Sequence, residues 1–135
     1  MYWQRDNAPP IVHSSDATLL LVEIERERLI KRIRARIDYM LESGAIKEVD
    51  KVYKTCWDIK LPFSKAIGAR DIISYLNNNM CFEKLAQNIE LKTRQFAKRQ
   101  RTWHRNYMKN WGSIDPLKIN TSGIEEIVKK VKRSN

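Results

Sequence analysis

The stretch Phe82–Tyr107 constrains the fold more than any other part of this chain. Phe82, Leu85, Ala86, Ile89, Thr93, Phe96, Ala97, Gln100 and Trp103 recur at i, i+3, i+4, i+7 spacing, the repeat of a single helix face. The spacing predicts one continuous helix, the longest element of the chain, on whose sides the remainder packs. Arg94, Lys98, Arg101 and Arg105 repeat with the same period on an adjacent stripe. Thr93 and Gln100 are polar members of the apolar stripe, so this end of the helix is expected to face a site.

Around it the pattern predicts a mainly α fold with a small α/β contribution. Ala17–Ile24 (ATLLLVEI) is β-branched and leucine-rich and reads as a buried strand. Glu25–Ser43 reads as a helix with Leu29, Ile30, Ile33, Ile37, Met40 and Leu41 inward, stopped by Gly44. A second helix, Ala45–Trp57, carries Ile46, Val49, Val52 and Tyr53 inward and ends at Leu61-Pro62. Phe63–Arg70 is a turn around Gly68. A short helix, Asp71–Leu76, is then broken by Asn77, Asn78 and Asn79. Beyond Trp111 the chain is strand-like at Pro116–Asn120. Ser122 to Glu125 form a capping box that opens a last helix, Ile124–Val131. Residues 1–16 are irregular, with Pro9 and Pro10 blocking a helix.

Charge narrows the function. There are 26 Lys and Arg residues against 16 Asp and Glu, a formal net charge of +10. Such an excess attracts polyanions and contributes nothing to the fold itself. No apolar run approaches the roughly 20 residues that span a bilayer. Cys56 and Cys81 lack C-x-x-C spacing and read as buried thiols of a reducing cytoplasm. His13 and His104 have no partner at metal-ligand spacing, and no metal ligand is assigned.

Three stretches can carry chemistry. The first is the helix around RIRARIDYM. Arg32 and Arg36 flank Ile33 and Ile37, which places them at the edge of the buried face, partly desolvated. A guanidinium there suits phosphate oxygens; equally, both arginines fit a helix surface, bridged to Glu25 or Asp38. The second is KAIGARD, Lys65–Asp71, where Gly68 sits between two cations. It is either a tight turn alone or a close backbone approach to phosphate gripped by Lys65 and Arg70. The third is TRQFAKRQRTWHR, Thr93–Arg105, in which five of thirteen residues are Arg or Lys beside Phe96 and Trp103. Cations for phosphates and rings for bases fit RNA, with Gln95, Gln100 and Thr102 for hydrogen bonds. The alternative is a solvated basic face with Trp103 in the core.

In order and spacing these stretches resemble the tRNA dimethylallyltransferase family. Leu29, Arg32, Ile33, Arg36, Met40 and Gly44 match its first helix. Ala66, Ile67, Gly68 and Arg70 match its glycine turn, and Tyr75-Leu76 match a pair that follows. Thr93-Arg94-Gln95, Phe96, Ala97-Lys98-Arg99-Gln100, Thr102-Trp103 and Arg105 match its last motif at every fixed position. The resemblance covers roughly residues 1–112, and the last motif is highly specific. Where the family usually has an aromatic before the second basic residue of the turn, this chain has Ala69.

The resemblance implies a P-loop kinase-like α/β core with a helical insertion domain. Residues 1–22 would end the insertion domain and return a strand to the core, and residues 23–135 would be the C-terminal helical part of the core. It implies transfer of a dimethylallyl group from dimethylallyl diphosphate to N6 of adenosine 37 of tRNA, with Mg²⁺ assisting the diphosphate. Arg36 matches the family arginine that binds diphosphate. Lys65, Ala66, Ile67, Gly68, Ala69 and Arg70, together with Arg94, Lys98, Arg99, Gln100, Arg101, Thr102, Trp103, His104 and Arg105, match segments that contact the tRNA anticodon stem-loop. No G-x-x-x-x-G-K-[ST] occurs in these 135 residues, so the phosphate cradle is absent; the family's general-base aspartate has no counterpart either. The chain therefore reads as a C-terminal part, expected to be inactive without the N-terminal half. The competing readings are a non-enzymatic helical RNA-binding module and a basic helical domain that binds another protein.

Overall fold

The computed structural model of the chain describes residues 11–12, 16–119, 123–125 and 128–129. Its contacts divide into two units. One is Glu25–Tyr107; the other gathers the described parts of Met1–Ile24 and Met108–Asn135.

The first unit is built on four helices: α1 (Arg26–Met40), α2 (Ile46–Cys56), α3 (Ala69–Leu76) and α4 (Phe82–Tyr107). The Glu25 carbonyl accepts from the Leu29 amide at 2.9 Å, closing the first turn of α1. Ile33 and Ile37 are buried one turn apart, followed by Leu41. Leu41–Ala45 is a wide helical turn in which Gly44, at φ 116°, bends the chain into α2. That is a backbone region L side chains rarely adopt. Gly68 opens α3 in the same way, at φ 96°. Asn78 takes the left-handed conformation (φ 58°) after α3, which asparagine tolerates.

α4 is the 26-residue helix the repeat predicts, about 39 Å long at 1.5 Å per residue. Its first half anchors the core. Leu85 and Ile89 are the most deeply buried apolar side chains, clustered with Ile33, Ile37, Leu41 and Ile72. The predicted apolar stripe stops there as a core. Phe82 and Phe96 are exposed, Gln100 is exposed, and Trp103 is 50% exposed. Trp103 therefore does not lie in the core. Past Ile89 the stripe packs on the core only through Ala97, and the adjacent basic stripe keeps water beside its exposed rings.

The second unit holds a two-stranded parallel sheet, β1 (Leu20–Val22) with β2 (Gly112–Ile114), in the register Leu20↔Gly112, Leu21↔Ser113, Val22↔Ile114. The Ser113 hydroxyl donates to the Glu23 carboxylate at 2.9 Å. The mainly helical expectation with a small strand contribution thus holds.

Four local expectations do not. The strand over Ala17–Ile24 is shorter and not buried, since Leu20 and Val22 are exposed; two strands alone offer no second layer to cover them. The strand expected at Pro116–Asn120 lies earlier, at Gly112–Ile114. Pro116 instead opens a 3₁₀ turn, Pro116–Lys118, capped by the Asp115 carboxylate, which accepts from the Leu117 amide at 2.9 Å. Proline's fixed φ and missing N–H favour that turn over a ladder. Tyr53 is exposed rather than inward and meets Trp57 edge-on at 6.1 Å; Ile46, Val49 and Val52 suffice for the half-buried face of α2. Cys56 and Cys81 are exposed, not buried, because they fall at the end of α2 and just before α4. Residues 123–125 and 128–129 are helical. Ser122 of the capping box, Asn120 and the end of the last predicted helix lie outside the described residues.

The two left-handed glycines are in different surroundings. A Cβ on Gly44 meets nothing within 4 Å, whereas one on Gly68 would lie 3.1 Å from Ile89 Cδ1. Gly44→Ala is expected to cost about 1–2 kcal/mol from the backbone alone. Gly68→Ala is expected to cost clearly more, since buried Ile89 has to move. Equal losses in urea denaturation would show that Ile89 yields freely.

Candidate nucleic-acid interface

α1 and α4 run antiparallel. The start of α1 faces the end of α4 across one groove, and the end of α1 faces the start of α4 across another. The first groove, of 460 Å³, takes Arg26, Leu29, Ile30 and Ile33 from α1. From α4 it takes Leu91, Arg94, Gln95, Ala97, Lys98, Arg101, Thr102 and Arg105. Both sets have helical periodicity, so each helix presents one face. The floor is apolar and the rim carries five cations; no lining residue is acidic. The second groove, of 430 Å³, is lined by Asp38, Glu83 and Glu90 with Arg34 among them. Charge is thus sorted along the helix pair. Only its two ends have help from the α4 dipole: Glu83 lies in the first turn and Arg105 in the last, where an anion and a cation respectively are favoured.

The predicted stripe Arg94, Lys98, Arg101 and Arg105 is brought together on this groove. Arg94 makes an i,i+4 contact to Glu90 at 3.4 Å, a surface pair worth little. Lys98, Arg101 and Arg105 make no side-chain ion pair or hydrogen bond among the described residues. Their charges therefore remain available to an anion. Thr102 also lines the groove, and its hydroxyl donates to the Lys98 carbonyl at 3.0 Å, leaving its oxygen free to accept. Thr93 is half-buried with its hydroxyl bonded to the Ile89 carbonyl, so it faces its own helix rather than a ligand.

Arg99, Gln100, Trp103 and His104 do not line the groove. They belong to other faces of α4. There Arg99 lies over the Phe96 ring at 5.9 Å. Trp103 stacks on Tyr107 at 5.3 Å and 29°, and meets His104 edge-on at 5.7 Å. This aromatic face is exposed.

The glycine turn forms no part of the groove either. Lys65, Ala66, Ile67 and Arg70 are exposed, whereas Gly68 and Ala69 are buried. The turn is pinned from within: the Ser64 hydroxyl, 1% exposed, lies 2.8 Å from the Ile59 and Leu61 carbonyls.

Arg32 and Arg36 are exposed, which corrects the expectation of partly desolvated arginines at the core edge. The buried face of α1 is narrow, and each arginine sits one residue, about 100° around the helix, from a buried isoleucine. Neither pairs with Glu25 or Asp38 among the described residues. Arg36 does not line the basic groove.

Arg26 and Tyr107 were not singled out by sequence, yet Arg26 completes the groove rim and Tyr107 the stacked pair. The signal for Arg26 was its i, i+3, i+4, i+7 spacing with Leu29, Ile30 and Ile33. No three His, Cys, Asp or Glu side chains among the described residues converge on a cation site. No described helix is long and apolar enough to cross a membrane.

Known proteins bear on this geometry. A tRNA dimethylallyltransferase of a Ruegeria species is 40% identical over 114 residues, covering 84% of this chain and 39% of that protein. One from Pelagibacter ubique is 36% identical over 123 residues, covering 91% of this chain and 38% of that protein. The crystal structure of tRNA delta(2)-isopentenylpyrophosphate transferase from Staphylococcus epidermidis superposes with TM-score 0.74 at 28% identity, over 85% of this chain and 38% of that one. The full-length tRNA isopentenylpyrophosphate transferase of Bacillus halodurans gives TM-score 0.73 at 28% identity, over 88% and 40%. The chain thus spans about two fifths of the length of the relatives it matches. The family description IPP transferase covers residues 1–107, which includes the glycine turn, both groove helices and the aromatic face: the chain belongs to the IPP transferase family.

Proposed function

We propose that this chain is the C-terminal, RNA-contacting part of a tRNA-modifying prenyltransferase. The complete enzyme would move a dimethylallyl group from dimethylallyl diphosphate to N6 of adenosine 37. The observation that carries the reading is the groove between α1 and α4, with five cations on its rim and no acid in its lining. A tRNA anticodon stem-loop presents phosphates to such a rim. Its loop bases find rings to stack on at Phe96, Trp103 and Tyr107.

The acceptor adenine has to leave its stack before its exocyclic nitrogen can reach an allylic carbon. An exposed aromatic face lowers the cost of that step by giving displaced bases a new partner. On the diphosphate side, negative charge grows on the leaving group as the allylic carbon–oxygen bond breaks. A guanidinium fixed at that point favours the transition state over the ground state. Arg36, exposed and unpaired among the described residues, is the proposed group, reaching the diphosphate on the remainder of the family fold. That remainder would supply the phosphate cradle and general base of the P-loop kinase-like core, with residues 1–22 closing the helical insertion domain.

RNA binding by the chain is expected to weaken with salt. If three groove cations contact phosphates, log K falls against log salt with a slope near −2, from roughly −0.7 per single-strand contact. Lys98→Ala is expected to make that slope shallower by less than one unit and to weaken all RNAs alike. Binding indifferent to salt would remove the electrostatic basis of the proposal. Trp103→Ala is expected to reduce RNA affinity with the slope unchanged. It should lower stability only by the stacking contribution, about 0.5–1.5 kcal/mol, not the ~3–5 kcal/mol of a core tryptophan; chemical denaturation separates the two. In an enzyme that joins this segment to the rest of the family fold, Arg36→Ala is expected to lower kcat about 10²–10³-fold. Lost tRNA affinity with intact kcat would instead assign Arg36 to the RNA.

A further inference from the structure

One acid lies inside this basic unit. Asp71 is 6% exposed, and its two carboxylate oxygens accept from the Lys92 ammonium, each at 2.7 Å. The pair joins α3 to α4. Asp71 is the last residue of KAIGARD, three residues after Gly68. Gly68 itself packs on Ile89, where a Cβ would be crowded at 3.1 Å, and Ile89 is three residues before Lys92. The turn is therefore fixed to α4 at two adjacent points, one apolar and one ionic.

The position of Lys92 on α4 gives this attachment a direction. Lys92, Phe96, Arg99 and Trp103 are spaced i, i+4, i+7, i+11, so they share one face of the helix. That is the aromatic face, not the groove face. Lys92 is thus a cation withheld from ligands at the head of the aromatic stripe, and it holds the turn that carries Lys65 and Arg70.

We infer that Asp71 and Lys92 are a positioning pair. Their ion pair sets the glycine turn in line with Phe96, Arg99 and Trp103, so that Lys65 and Arg70 engage the same RNA as the aromatic face. The inference rests on the RNA-binding reading above and assigns neither Asp71 nor Lys92 a contact with RNA.

The sign of one substitution separates this from simple electrostatics. Asp71→Asn removes a negative charge and releases a lysine beside a polyanion site. Electrostatics alone predict tighter RNA binding. A positioning pair predicts weaker binding, because Lys65 and Arg70 lose their place. Affinity for a synthetic RNA stem-loop is measured against salt for the unsubstituted chain and for Asp71→Asn, Lys92→Met, Lys92→Arg and Ile37→Val. The first two are expected to bind roughly tenfold or more weakly at 0.1 M salt, with a slope shallower by about 1.4, two contacts at roughly 0.7 each. Lys92→Arg, which keeps a bidentate partner for the carboxylate, is expected to restore both. Ile37→Val, a one-methyl change in the core seam that leaves the Asp71–Lys92 pair in place, is expected to leave the slope unchanged.

Hydrogen exchange gives a readout that needs no RNA. The Ile72 amide donates to the Gly68 carbonyl at 2.8 Å and is expected to lose protection in Asp71→Asn while amides of α1 keep theirs. If a single variant fails to fold, Asp71→Asn combined with Lys92→Gln leaves no buried charge unpaired and carries the same test. Tighter or unchanged binding by Asp71→Asn, or undiminished protection at Ile72, overturns the inference alone. An unsubstituted chain that binds no RNA overturns the reading beneath it.

Discussion

The packing of α1 on α4 through Ile33 and Ile37 on one side and Leu85 and Ile89 on the other is the contact on which the first unit depends. Leu41 and Ile72 close the cluster, so α3 is held by the same seam. The seam is short. It uses the middle of α1 and the first half of α4, and beyond it the facing positions change from leucine and isoleucine to arginine and lysine. Unpaired charges resist desolvation by several kcal/mol each, so the two helices cannot close further. The open groove is what remains where an apolar floor of Leu29, Ile30, Leu91 and Ala97 is bordered by cations instead of further apolar side chains.

That change of residue type also explains the electrostatic layout. The acidic side chains Asp38, Glu83 and Glu90 gather where α4 begins, and Arg94, Lys98, Arg101 and Arg105 gather where it ends. A polyanion approaching the pair meets repulsion at one end and attraction at the other. α4 also offers two surfaces with different physics. The groove face provides charge without specificity of base, whereas the Phe96, Trp103 and Tyr107 face provides stacking area.

The glycine turn belongs to the same construction. Its backbone needs Gly68 for the positive φ of 96°, and a Cβ there would crowd Ile89 at 3.1 Å; Ile89 is itself part of the seam. Ser64 fixes the start of the turn through backbone carbonyls, and Asp71 fixes its end through Lys92. The exposed cations Lys65 and Arg70 thus sit on a frame fixed at both ends, Lys65 closing the 3₁₀ turn Pro62–Lys65 and Arg70 in the first turn of α3. A chain with net charge +10 does not offer every cation to a ligand.

The extent of α1, α2 and α4, the stops at Gly44 and Asn77–Asn79, the left-handed turn at Gly68 and the family itself were determined by the sequence. Each depends on local chemistry: a 3.6-residue repeat, a missing Cβ, or a motif with fixed spacing. The cations of α4 were legible as a stripe for the same reason. What the tertiary structure decided was depth and partnership. The exposure of Tyr53, Cys56, Cys81, Arg36 and Trp103 depends on how far a neighbouring element reaches over a helix face, and no local pattern encodes that reach. The pairing of β1 with β2, the recruitment of Arg26 to the groove and the bond between Asp71 and Lys92 join residues remote in sequence. They come together only when the isoleucine seam fixes which faces meet.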